Sequence, residues 1–184
     1  MPKSTTTFLS LGSNLNDKLQ YLQTAVDSIN QNIGSVCAIS SVFQTPSWGF
    51  EGNDFYNICI EVTTDLTAIA FLEDLLALET TLGRKRSNTQ GYENRVIDID
   101  IILFDDLVMK SEKLTVPHPK AFMRKFVLLP LEEIKSDLVF PELNLPIKEV
   151  LENCEDNSIV TKTAIQIATK KNTDITKNKD ITED

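Results

Sequence analysis

Asp98 and Asp100 stand two residues apart in the otherwise apolar run Val96-Ile97-Asp98-Ile99-Asp100-Ile101-Ile102-Leu103-Phe104. In a β-strand successive side chains alternate faces, so both carboxylates point one way while Ile97, Ile99, Ile101 and Leu103 point the other. Same-face neighbours lie about 6–7 Å apart at the backbone, close enough for two carboxylates to share a metal ion. Aspartate is a poor strand former, and the repulsion between two like charges is most readily offset by a cation. Hard oxygen donors with no His or Cys beside them suit Mg²⁺ rather than zinc. The plainer alternative is an amphipathic strand with a solvated outer face.

Cationic groups gather on either side of this pair. Residues 84–95 carry Arg84, Lys85, Arg86 and Arg95 against the single acid Glu93, and lead directly into the strand. Residues 113–125 carry Lys113, Lys120, Arg124, Lys125 and the only histidine, His118, with no acid. The chain has a net charge of -9, yet these two segments hold eight of its 18 Lys and Arg residues. Such concentration suits a small polyanion, phosphate above all, and argues against nucleic acid or an anionic membrane as partner. A diacid beside a basic loop is what phosphoryl transfer requires: a metal bridging phosphate oxygens, and guanidinium groups offsetting charge that develops during transfer. His118 sits between Pro117 and Pro119, whose fixed φ makes a rigid contact point. Asn57 follows Phe55 by two on one strand face, a polar reader beside a stacking surface, although core packing is the plainer role for Phe55 and for Phe126.

The elements that must hold these groups follow from periodicity. Thr7–Leu11 reads as a strand broken by Gly12-Ser13-Asn14. Leu19, Leu22, Val26, Ile29 and Ile33 form one helical face, closed by Gly34. Val36–Gln44 reads as a second strand, residues 45–54 as a loop, and Phe55–Thr63 as a third strand. Thr67 can cap a second helix with apolar Ile69, Leu72, Leu75, Leu76 and Leu82, stopped at Gly83. Val96–Phe104 is the fourth strand, followed by a turn at Asp105-Asp106 and a short strand near Leu107–Met109. Helical spacing returns over Ala121–Ile134, interrupted by Pro130, and Pro146 opens a short helix ending near Asn153. The order β-α-β-β-α-β predicts an α+β, ferredoxin-like sandwich: an antiparallel sheet with helices on one face and extra C-terminal strand and helices. The other face is left for a ligand or for those C-terminal helices. The domain is expected over residues 1–154, and residues 155–184, with their acids and lysines interspersed and no Gly, Pro or aromatic, as a largely disordered tail in which Val160–Ala168 reads at most as a weak strand or helix.

Cys37, Cys59 and Cys154 are odd in number and widely spaced, which fits a reducing compartment. The N-terminus has neither secretory nor transit character, so a cytoplasmic location is expected.

Seven ordered motifs resemble the 6-hydroxymethyl-7,8-dihydropterin pyrophosphokinases of folate synthesis: LGSNL (11–15), TP (45–46), FYN (55–57), GRKR (83–86), RVIDIDIILF (95–104), LTVPHP (114–119) and FVLLPLEEI (126–134). The resemblance spans about Phe8 to Asn153 and implies transfer of the pyrophosphoryl group of ATP to a pterin hydroxymethyl oxygen, with release of AMP. It implies that Asp98 and Asp100 bind two Mg²⁺ ions, that Arg84 and Arg95 act on the phosphates, and that Glu79, Arg86, Ile101, Lys113, Thr115, His118 and Arg124 serve ATP. Phe55 and Phe126 would sandwich the pterin, with Asn57, Tyr92 and the segment Thr45, Pro46 to Trp48 completing its site. Tyr92 stands where a bacterial relative has Trp, in a loop one residue longer, and Leu76 and Lys113 replace Gln and Arg. The expected partners are these small molecules alone, and the expected state is a monomer. A nucleotide sensor without catalysis and a Mg²⁺-dependent phosphohydrolase are the competing readings.

Overall fold

In the computed structural model, residues 4–47, 52–84 and 94–169 are described. The chain runs β1 (Thr5–Ser13), α1 (Lys18–Asn32), β2 (Ser35–Ile39), β3 (Phe43–Thr45), β4 (Phe55–Thr64), α2 (Ala68–Thr81) and β5 (Asp98–Phe104). It continues through β6 (Met109–Lys110), β7 (Thr115–Val116), a single 3₁₀ turn (Ala121–Met123), α3 (Lys125–Ile134), β8 (Val139–Phe140), β9 (Leu145–Pro146), α4 (Ile147–Glu152) and β10 (Thr161–Lys162).

The helices begin where their caps dictate. Asp17 Oδ1 accepts the Gln20 N–H at 3.0 Å to start α1, and Thr67 Oγ1 accepts the Ala70 N–H at 3.3 Å to start α2. Leu22, Ala25, Val26 and Ile29 bury the inner stripe of α1. The buried stripe of α2 is Ala68, Phe71, Leu75 and Glu79. It is turned from the stripe read by periodicity and ends on a carboxylate, whose partners are given below.

The main sheet is antiparallel, in the order β10-β3-β4-β1-β5, with β2 pairing the far end of β4. This is the expected ferredoxin-like arrangement, with β1 and β4 at the centre. The predicted second strand divides in two, because Ser35–Ile39 pairs with Ile60–Thr63 while Phe43–Thr45 pairs with Phe55–Asn57. Between them Ser40 and Ser41 are buried and bonded: the Ser40 hydroxyl accepts the Cys59 N–H, and Ser41 donates to Glu133 on α3.

Two apolar layers flank the sheet. On one face Leu9, Leu11, Ile58, Ile60, Ile99 and Ile101 pack under α1 and α2. On the other, Phe8, Cys59, Ile102 and Leu103 pack under α3 and α4, so those helices cover part of the second face and leave the rest of it open. Each fully buried Leu or Ile contributes roughly 2–3 kcal/mol by removal from water. Leu103 departs from the expected alternation. Leu9 opposes Ile101 and Phe8 opposes Leu103, so Ile102 is an extra residue in β5, and the bulge moves Leu103 to the second layer while Phe104 joins the first.

The folded unit also passes the boundary expected at residue 154. Thr161 and Lys162 pair with Gln44 and Phe43, and Ile167 is buried in the main core. The apolar residues at 165 and 167 supply what a disordered tail lacks, a face to bury. Residues 170–184 lie outside the described residues. No helix among the described residues is long and apolar enough to cross a membrane.

Candidate active site

Two cross-strand rows on the second face of the sheet carry the site, running from its open part toward α3. Asp98 faces Gly12 on β1, which faces Asn57 on β4, and the next row is Asp100, Ser10 and Cys59. Cross-strand partners share a face, so the two aspartates and Asn57 lie on one floor, as the alternation required. Gly12 lies at the middle of that floor, and a Cβ there would stand 3.0 Å from Asn57 Oδ1 and 3.7 Å from Phe55 Cδ1. Asn57 is buried (3% exposed) and its Nδ2 donates to Thr45 Oγ1 at 2.9 Å, which fixes the amide's orientation.

The two arginines converge on one carboxylate. Arg84 Nη1 is 2.6 Å from Asp98 Oδ1, and Arg95 Nη1 is 2.5 Å from Asp98 Oδ2. Arg84 also pairs with Glu79, which is only 2% exposed and whose Oε1 accepts the Ile99 N–H at 2.7 Å. Glu79 thus satisfies an edge N–H of β5 and anchors Arg84 beside Asp98. Burial raises its pKa despite the opposing pull of Arg84. Burial works against the charge of Arg84, but Asp98 and Glu79 hold its proton more firmly than usual.

Asp100 is pushed up to about 7, first by burial and then by the charge of Asp98, with Arg124 pulling the other way. His118 is pushed down to about 4 by burial and by Arg124. Its backbone N–H donates to Ile102 O at 2.9 Å, which seats the Pro-His-Pro segment against β5. Arg124 lies 5.5 Å from the ring centroid of Phe126, at the start of α3.

Other predicted residues are placed differently. The Ile101 side chain is buried in the main core, as its place in the alternation demands. Lys113 is 3.2 Å from Glu73 on α2, both well exposed, and is not brought to the carboxylates. Thr115 is half-buried in β7, Pro46 is exposed at the end of β3, and Phe55 and Phe126 are half-buried. Trp48, Arg86 and Tyr92 lie outside the described residues.

Asn14 escaped the sequence reading although it lies within LGSNL. Its buried side chain accepts the Arg95 N–H at 2.7 Å and donates to Asn94 Oδ1 at 2.7 Å and to Asn53 O at 3.2 Å, joining the end of β1 to both neighbouring loops. Gly12, from the same motif, reads in sequence only as a strand breaker.

The donor set fits a magnesium site. Two half-buried carboxylates share a face, one of them with a pKa raised by burial and by the charge of the other, and no cluster of three or more His, Cys, Asp or Glu residues surrounds them among the described residues. Mg²⁺ is commonly held by one or two carboxylates, with substrate phosphates and water completing its shell.

Residues 8–136 match the family described as 7,8-dihydro-6-hydroxymethylpterin-pyrophosphokinase (HPPK). A Methylorubrum extorquens protein named 2-amino-4-hydroxy-6-hydroxymethyldihydropteridine pyrophosphokinase is 40% identical over 137 residues, covering 73% of this chain and 85% of that one. The Aquifex aeolicus protein of the same name is 34% identical over 145 residues, covering 78% and 89%. Among solved structures, a Plasmodium falciparum HPPK-DHPS chain superposes with a TM-score of 0.67 at 15% identity, covering 83% of this chain and 46% of that longer one, a likeness of fold.

Proposed function

We propose, from the premise that this chain belongs to the 7,8-dihydro-6-hydroxymethylpterin-pyrophosphokinase family, that it transfers the pyrophosphoryl group of ATP to the hydroxymethyl group of 6-hydroxymethyl-7,8-dihydropterin. The hydroxyl oxygen bonds to the β-phosphorus, the bond from that phosphorus to the oxygen bridging it to the α-phosphorus breaks, AMP departs with that oxygen, and the hydroxyl proton passes to solvent water. The observation that carries this reading is the shared floor, with two carboxylates and two arginines at one end and an oriented amide, Asn57, two strands away.

Asp98 and Asp100 would hold Mg²⁺, two ions in the full reading, which when bound supplies charge neutralisation and alignment of the polyphosphate. Arg84 and Arg95 offset the charge that grows on the β-phosphate oxygens and leaving group, which is what a transfer with a spread-out transition-state charge needs most. Glu79 positions Arg84. His118 and Arg124 line the nucleotide side, joined by Arg86, Thr115 and Lys113. Asn57, steadied by Thr45, reads the polar edge of the pterin, and Phe55 and Phe126 offer aromatic faces to its ring, with Pro46, Trp48 and Tyr92 assigned to the same substrate by resemblance. The protein acts as a monomer in the cytoplasm, on small molecules alone.

The test is AMP release from ATP and Mg²⁺, with and without the pterin, for wild type and Asp98→Ala. Pterin-dependent AMP that disappears in the variant supports the assignment. Release of ADP or phosphate without pterin would replace it with a phosphohydrolase, and ATP binding without turnover with a sensor.

A further inference from the structure

Phe126, which offers its ring to the acceptor, stands for one wall of the acceptor site and Thr45, with the Asn57 it steadies, for another, and each is held by the chain that follows α4. Helix α3 begins at Lys125, and its N-cap residue Arg124 makes no side-chain cap bond. The cap comes from thirty-one residues further on: Asp156 Oδ2 accepts the Lys125 N–H at 2.9 Å, while Asp156 Oδ1 accepts the Ser158 N–H at 2.9 Å. An unpaired N–H in a first helical turn needs such an acceptor. Asp156 therefore secures the turn from which Phe126 projects.

The other wall starts on β3, only three residues long, which delivers the Thr45 hydroxyl to Asn57. One edge of β3 rests on β4 and the other is covered by β10. Just beyond β10, Thr163 donates from both N–H and hydroxyl to Val42 O, at 2.9 and 2.8 Å, and the Val42 N–H returns to Ile165 O at 3.1 Å. Gln166 Nε2 donates to Ser41 Oγ at 2.7 Å, and Ser41 donates in turn to Glu133 of α3, which also pairs with Lys162 at 3.2 Å. Ile167 is buried in the main core and Ile165 packs against it, so the segment is anchored along its length.

We propose that residues 156–168 form a strap that sets both walls of the acceptor site, capping α3 through Asp156 and pinning β3 through Thr161 to Gln166. The strap lies wholly beyond the family match, which ends at residue 136. It rests on the pyrophosphokinase reading for the identity of the acceptor, and on geometry alone for which segments it holds. Its residues act through β3 and α3 and are positioning residues.

The full-length chain is compared with Asp156→Ala, Asp156→Asn and Thr163→Pro, the last removing the N–H that reaches Val42. Loss of one cap or one pairing predicts a rise of about five- to tenfold in KM for the pterin, with kcat and the KM for ATP within about twofold. Asp156→Asn keeps an acceptor and restores most of the pterin KM. Amide hydrogen exchange accelerates at 125–128 in Asp156→Ala and at 43–45 in Thr163→Pro. Equal losses for both substrates, or a fall in kcat alone, would overturn the proposal, as would unchanged exchange in both segments. If wild type forms no pterin-dependent AMP, the functional reading falls on that result, and the exchange pattern still decides whether the strap holds the two segments.

Discussion

Arg84 Nη1 lies 2.6 Å from Asp98 Oδ1 while the same guanidinium is paired with the buried carboxylate of Glu79. Glu79 in turn holds the Ile99 N–H, the residue between the two aspartates, so a helix, the end of a loop and an edge strand meet in one charge network. Arginine suits this post, since its planar fork can engage two carboxylates at once and its charge survives burial.

Arg84→Ala should therefore damage more than catalysis. It leaves a carboxylate that is 2% exposed with no cation beside it among the described partners, and breaking a buried pair from one side costs roughly 3–5 kcal/mol. Glu79→Gln on the Arg84→Ala background should recover much of that stability without recovering activity. Urea denaturation of the two single variants and the double variant measures this, and additive losses would mean the pair is uncoupled.

Asp100→Asn should stabilise the protein at pH 8 while abolishing transfer. The native pKa, raised to about 7, exceeds the ordinary carboxylate value. The native state thus binds more protons than the unfolded state, and stability falls as pH rises from about 4 to 7. The amide removes that loss, so the gain in stability, read as a rise in Tm, should be largest above pH 7, on the order of 4 kcal/mol, and vanish near pH 4. Equal Tm at pH 8 would show that Asp100 carries no such strain.

His118 gives the opposite slope. Its native pKa, lowered to about 4, lies below the unfolded value near 6.5, so its contribution is complete above pH 6.5 and is lost as pH falls toward 4. His118→Gln should flatten the Tm profile across that window. Parallel profiles for variant and wild type would remove His118 as the cause.

Gly12→Ala places a Cβ 3.0 Å from Asn57 Oδ1, tighter than an ordinary contact. Asn57 must shift or release Thr45, and the expected result is a rise of about tenfold in KM for the pterin, roughly the worth of one misplaced hydrogen bond. The KM for ATP should move little. An unchanged pterin KM would mean that Asn57 does not read the acceptor.

Much of the molecule could be read along the chain, because it depends on local periodicity. The alternation in Asp98-Ile99-Asp100-Ile101 placed both carboxylates on one face, the cap Thr67 marked the start of α2, and Phe55 with Asn57 shared a strand face as spaced. Those relations involve neighbours a few residues apart, whose geometry the backbone dictates once an element forms.

What tertiary structure decided involves partners far apart in the chain. Ile102 becomes a bulge only against Phe8 and Leu9; Glu79 turns inward only because Arg84 and the Ile99 N–H meet it there; Asp156 becomes a helix cap only when α4 returns the chain to Lys125. Composition marked the C-terminal segment as polar and unstructured, but the open edge of β3 and a space in the core for Ile167 gave its backbone and side chains something to bond and bury. A free strand edge and a gap between elements exist only after folding, so the local pattern gave no more than a weak strand or helix over Val160–Ala168 and could not reveal its partners.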